Sequence, residues 1–168
     1  NMAEAAMKLN AALDKIAEYL HLDAQRLQEY VDEDIVGGWD EDPTIAKWPC
    51  GSIWEVEGQV IYALVRALKP KRIFEVGLFK ACSTSHLGEA VLANGVGKIT
   101  SIDIYPQSEI PDRYAQVATL LRGDIFTHEW QPYDFVFEDG MHSEEMTTVS
   151  WQAFAQTAPK GAVIVSHD

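Results

Sequence analysis

Cysteine is nearly absent from this sequence: there are two, Cys50 and Cys82. Two thiols cannot build a disulfide framework, and neither sits in a CxxC pair of the kind used for zinc or redox chemistry. A reducing, cytoplasmic setting is therefore the expectation. Long apolar runs are also missing, so no stretch reaches the length of a membrane span. The segment from Met2 to Leu22 mixes Glu, Lys, Asp and Asn among its apolar residues and does not read as a signal peptide. Basic residues are scarce. Thirteen Lys and Arg stand against 26 Asp and Glu, for a formal net charge of -13. Such a chain repels a polyanion at long range, because nucleic-acid binding rests on cations that neutralise phosphates. The densest basic group, Lys69, Lys71 and Arg72, flanks a turn and reads as a solvated loop. Nucleic acid and membrane are set aside as partners, and a small molecule takes their place.

What is present is an ordinary globular composition. The 168 residues are 47% hydrophobic and 23% charged, enough for one sizeable core. The pattern divides near residue 51. Residues 1–51 read as an N-terminal helical extension followed by a loop. Ala6, Leu9, Leu13, Ile16, Ala17 and Leu20 form the stripe of an amphipathic helix. Asp23 is placed to cap a second helix, with Leu22 and Leu27 spaced as a hydrophobic staple, and Gly37 and Gly38 are expected to end it. Trp39 and Trp48 in the following loop either cover a pocket or pack on the core.

Residues 52–168 change character. Ile53, Val56, Val60, Ile61, Leu64 and Leu68 form a helix face closed by Pro70. Strands are predicted at 72–76, 98–104, 119–121, 133–137 and 162–165, and helices at 84–92 and 143–158. Strands alternating with helices imply βαβ units. The fold class is therefore α/β, a Rossmann-like doubly wound, mainly parallel sheet with ligands at the carboxyl ends of its strands.

Those strand ends are where polar residues and glycines gather. The first ends Glu75-Val76-Gly77, where a glycine allows a tight turn and close approach of a ligand, and Ser83 opens the next helix. The second ends in Asp103, suited to ribose hydroxyls, or else to starting a turn with Pro106. Gly123-Asp124-Ile125 follows the third. The fourth ends Glu138-Asp139-Gly140-Met141-His142, and the fifth ends His167-Asp168.

This series resembles class I S-adenosylmethionine-dependent methyltransferases over roughly the last two-thirds of the chain. Glu75-Val76-Gly77 with Ala81 and Ser83 is similar to their first motif. Ser101-Ile102-Asp103 is similar to their acidic second-strand end, and Gly123-Asp124-Ile125 to the segment beside the adenine. Tyr133 to His142 resembles the fourth-strand signature of small-molecule O-methyltransferases, in the subgroup of macrocin O-methyltransferase and cephalosporin-hydroxylase-like proteins. The resemblance implies S-adenosylmethionine as cofactor. Glu75 and Gly77 would shape the methionine end, Ser83 would hold the methionine carboxylate, Asp103 the ribose, and Asp124 and Ile125 the adenine. It also implies a magnesium-type divalent cation at Asp139, His167 and Asp168, with Asp139 shared by the cofactor site and His142 as catalytic base.

The chain departs from the family in three ways. Phe79 and Ala81 stand where many members carry glycines. His167 replaces a residue often acidic in the metal-binding relatives. The chain also stops at Asp168, so the expected strand order 3-2-1-4-5 lacks the family's last two strands. An exposed sheet edge and sticky N-terminal helices leave room for a homodimer. The leading expectation is O-methylation of a small hydroxylated molecule, with divalent-metal assistance. The alternative is a non-catalytic or truncated cofactor-binding module of the same fold. A nicotinamide oxidoreductase is disfavoured, because Gly77 to Cys82 does not spell GxGxxG.

Overall fold

The computed structural model describes residues 2–33 and 53–167. Gly37, Gly38, Trp39, Trp48 and Asp168 therefore lie outside the described residues. Helix α1 spans Met2–Leu20, α2 Ala24–Asp32 and α3 Glu55–Leu68. Strand β1 (Arg72–Val76), helix α4 (Cys82–Asn94), β2 (Lys98–Asp103), β3 (Ala118–Arg122), β4 (Phe135–Glu138), α5 (Glu144–Thr157) and β5 (Val163–Ser166) follow. All strand pairs are parallel, in the order β3-β2-β1-β4-β5. The expected order is thus observed, with the N-terminal helices packed on the sheet's α3–α4 side. Among the described residues no helix is long and apolar enough to cross a membrane.

Alternation along the strands builds two cores. Ile73, Ile99, Phe135 and Phe137 point to the side of α3 and α4, where Leu13 and Ala17 of α1 and Leu27, Tyr30 and Val31 of α2 join the same cluster. Phe74, Val76, Ile102 and Val136 point the other way, toward Ile125, Tyr133 and Met146. Phe74 stacks there on both His128 and Tyr133, with ring centroids 4.7 Å and 4.5 Å away.

The caps are mostly those the sequence announces. Asp23 Oδ1 accepts from the Arg26 amide at 3.0 Å and starts α2. That helix stops sooner than the glycines suggest. Glu33 leaves helical backbone at ψ 112, and its carboxylate takes the Tyr62 hydroxyl and the Arg66 guanidinium of α3 instead. The β2–β3 connection holds only a short 3-10 turn, Asp112–Tyr114, in place of a crossover helix. Cys82, buried in the first turn of α4, is not a free thiol.

Candidate functional site

The order β3-β2-β1-β4-β5 reverses direction between β1 and β4, and an open parallel sheet has its crevice at such a switch point. The chain is drawn tight there. The Gly77 amide donates to Ile102 O at 2.9 Å, and the Asp139 amide to Val76 O at 2.9 Å. Gly77 is left-handed at φ +89, and a Cβ on it would meet the Asp139 carbonyl oxygen at 2.2 Å. Only glycine lets the two strand ends approach so closely.

A cavity of about 580 Å³ opens above this point, within the usual range for a small-ligand site. Gly77, Phe79, Asp103, Asp124, Ile125, Asp139 and His142 all line it. Its rim carries large apolar side chains left exposed: Ile104, Tyr105, Phe126 and Met141. Three acids, Asp103, Asp124 and Asp139, therefore sit among apolar walls, a combination suited to an amphipathic ligand.

The β1–β2 wall is internally bonded. Residues 77, 79 and 81 are all left-handed, with φ of 46° at Phe79 and 61° at Ala81. The loop keeps the backbone of a glycine-rich turn although two of the three positions are not glycine. Asp103 holds it there: Oδ2 accepts from Leu78 N at 3.0 Å and Phe79 N at 2.8 Å. Its Oδ1 accepts from Tyr105 N at 2.8 Å, so Asp103 both lines the cavity and begins a turn. Glu75 is fully buried and accepts from the hydroxyls of Ser83 at 2.7 Å, Thr84 at 2.7 Å and Ser101. Burial pushes its carboxyl up to about 7, against the pull of those three donors. Neither Glu75 nor Ser83 lines the cavity. They brace the loop from behind, and the one hydroxyl proton of Ser83 goes to Glu75. Asp124 caps the 3-10 turn Ile125–Thr127 through Phe126 N, at 2.9 Å.

The β4–β5 wall is different. Asp139, His142 and His167 converge, with one ligand atom from each lying within 4.8 Å of the others. Asp139 Oδ1 is 3.1 Å from His167 Nδ1 and 3.8 Å from His142 Nε2. Burial raises the Asp139 carboxyl to about 6, with the two histidines pulling it back. His167 Nδ1 is buried yet has no hydrogen-bond partner of good geometry. His142 is half exposed and faces the cavity. On its other side, His167 Nε2 lies 3.2 Å from Glu57 Oε2 of α3. Sequence reading missed Glu57. The one available signal was an acid three residues after the helix start, where a capping carboxylate belongs.

Comparison with known proteins now bears on this geometry. A profile of the methyltransferase-domain family matches residues 74–168. The chain belongs to that family. No curated protein matches the sequence. Solved structures share the fold of this methyltransferase domain at low identity. Cofactor-bound Rv0187 from MTB superposes with a TM-score of 0.62 at 22% identity, over 83% of this chain and 70% of that one. The O-methyltransferase TomG from Streptomyces achromogenes, solved with SAM, gives 0.57 at 17%, over 95% and 72%. An O-methyltransferase from Bacillus cereus, solved with SAH, gives 0.54 at 17%, over 93% and 71%.

Proposed function

We propose that this methyltransferase domain binds S-adenosylmethionine in the β1–β4 crevice and methylates a hydroxyl of a small molecule, assisted by a divalent cation at Asp139 and His167. The observation that carries the reading is the convergence of Asp139, His142 and His167 beside an amphipathic cavity that the first two of them line.

The residues suit the cofactor. The apolar rim of Ile104, Ile125 and Phe126 suits a purine, and Asp103 and Asp124 stand beside it to accept from hydroxyl and amino groups. Glu75 and Ser83 would act from behind, by holding the β1–α4 loop in its left-handed form. The residues also suit a cation. His167 Nδ1 is an orphaned buried polar atom facing a buried carboxylate, which leaves the half-exposed His142 beside them for proton transfer. An imidazole beside a carboxylate fits manganese better than magnesium, which prefers an all-oxygen shell. Asp168, expected as a further ligand, lies outside the described residues.

When bound, S-adenosylmethionine supplies a sulfonium methyl and the cation lowers the pKa of the acceptor hydroxyl. His142 Nε2 would take the hydroxyl proton as the methyl passed from sulfur to oxygen, giving S-adenosylhomocysteine and the methyl ether. Asp139 keeps His142 close to the cavity, and the apolar rim excludes water. Residues 133–142 support placing the chain with the macrocin and cephalosporin-hydroxylase-like subgroup, whose acceptors are small hydroxylated molecules.

The test is calorimetric titration with S-adenosylhomocysteine, with and without Mn²⁺. Micromolar binding strengthened by the cation is expected. Binding indifferent to Mn²⁺ removes the metal role, and no binding at all removes the cofactor assignment.

A further inference from the structure

We propose that a second cavity, beside His142, takes the methyl acceptor and selects one that carries an ammonium group, which Glu138 holds. That the ligand is the acceptor rests on the methyltransferase reading given above, whereas amine binding at Glu138 does not.

This cavity encloses about 580 Å³, again within the usual range for a small-ligand site. His142 lines both cavities, while Asp139 lines the first and His167 the second. The two hollows thus adjoin across the 3.1 Å contact between Asp139 Oδ1 and His167 Nδ1. Methyl transfer brings two ligands into contact at one atom, and His142 stands where the cavities meet. Strand ends and one helix face build the second cavity. Val136 packs toward Met146, and strand alternation points Glu138 to the same face of the sheet. Ser166 is the register partner of Glu138 on β5. Across from them α5 presents Glu144, Thr148 and Trp151. The Trp151 indole N–H donates to Ser166 Oγ at 3.0 Å, which fixes a ring that is still 48% exposed.

Glu138 sets the chemistry of this cavity. It is 2% exposed and lines the cavity, yet among the described residues its carboxylate has neither a hydrogen bond nor an ion pair. Glu75, the other fully buried acid on the neighbouring strand, has three hydroxyl donors. Carboxylate oxygens only accept, and leaving them buried without a donor is costly. The donor is therefore one that a ligand brings. Among the described residues no lysine or arginine lines the cavity, and Glu144 adds a second acid, so its walls repel a phosphorylated or carboxylated ligand. An ammonium group meets these demands together. Its protons go to Glu138, and its charge suits the open face of Trp151. A hydroxyl on the same molecule then lies at His142, beside the cofactor cavity.

Three probes of one shape and different charge test this: tyramine, para-ethylphenol and para-hydroxyphenylacetate. Binding is followed through the Trp151 indole resonance in ¹H–¹⁵N NMR, assigned with Trp151→Phe. Tyramine should shift that resonance and bind at least about tenfold more tightly than para-ethylphenol, and para-hydroxyphenylacetate should not bind. Glu138→Gln keeps the side-chain volume and should bring the affinity for tyramine down to that for para-ethylphenol. A urea midpoint no lower than that of the wild type reports an intact fold. Tyramine binding no tighter than para-ethylphenol in the wild type overturns the proposal, and needs no variant to fold. A preference for tyramine that survives Glu138→Gln overturns it too. S-adenosylhomocysteine is titrated in parallel. If it fails to bind while the Glu138-dependent preference holds, the amine site is supported and the cofactor reading is what fails.

Discussion

The two walls of the crevice use polar groups in opposite ways. On the β1–β2 side, Glu75 receives three hydroxyls and Asp103 three backbone amides. The demands there are met inside the protein, and the result is a rigid, left-handed loop. On the β4–β5 side, Asp139 and His167 face each other with a nitrogen left unbonded, and His142 is half exposed. Satisfied polar groups fix shape, whereas unsatisfied ones in a cavity wall are available for chemistry. One wall therefore holds the ligand's place, and the other acts on it.

That division can be broken by substitution. The largest effect is expected at His142. His142→Ala should lower turnover by about 10²- to 10⁴-fold while changing unfolding free energy by no more than about 0.5 kcal/mol. Parallel steady-state kinetics and urea denaturation check this, and a matching loss of stability would make His142 a structural residue. Next, Gly77→Ala should cost about 3 kcal/mol or more, because its Cβ would collide with the Asp139 carbonyl from a left-handed backbone. An unshifted urea midpoint would mean that the two strand ends part easily.

The third prediction concerns pH. Burial lifts the Glu75 carboxyl from 4.5 to about 7 in the folded chain. A raised folded-state pKa contributes stability that is complete below the unfolded value and lost as pH rises through the folded one. The wild type should therefore lose stability relative to Glu75→Gln across that window, by about 1–3 kcal/mol, as read from denaturation curves at its two ends. Parallel curves would show the carboxylate to be fully compensated by its hydroxyl donors. The smallest effect is at Phe79, whose left-handed φ glycine adopts freely. Phe79→Gly should gain about 0.5 kcal/mol, as relief of backbone strain outweighs added unfolded-state entropy, and thermal melting would detect it.

Much of this was legible in the chain, and the reasons are local. Buried parallel strands are short apolar runs, so β1 and β4 announce themselves; β3 sits at an edge with Leu121 partly exposed and reads weakly. Asp23 speaks through a capping spacing that needs no tertiary context. Gly77, Asp103, Asp124, Asp139 and His142 all line the cavity, because strand ends in a doubly wound sheet converge by topology. What stayed hidden depends on packing between distant segments. Ser83 turns to Glu75 because the strand and the following helix press the two together out of water. Glu57 reaches His167 only because α3 lies against the sheet with its first turn beside the end of β5. No spacing rule relates those positions. The early end of α2 is of the same kind, since Glu33 is drawn off by Tyr62 and Arg66.

The bridge between Glu57 and His167 also has a temporal meaning. It joins α3 to the residue just after β5, so it closes a long stretch of chain. Contacts of that kind wait until the intervening chain has been ordered. A chain emerging from the ribosome can form β1, α4, β2 and β4, and with them the hollow of the crevice, before β5 exists. Only when β5 docks does His167 meet its two carboxylates. In chain order, the strands that shape the hollow of the crevice thus precede the contacts that His167 makes beside it.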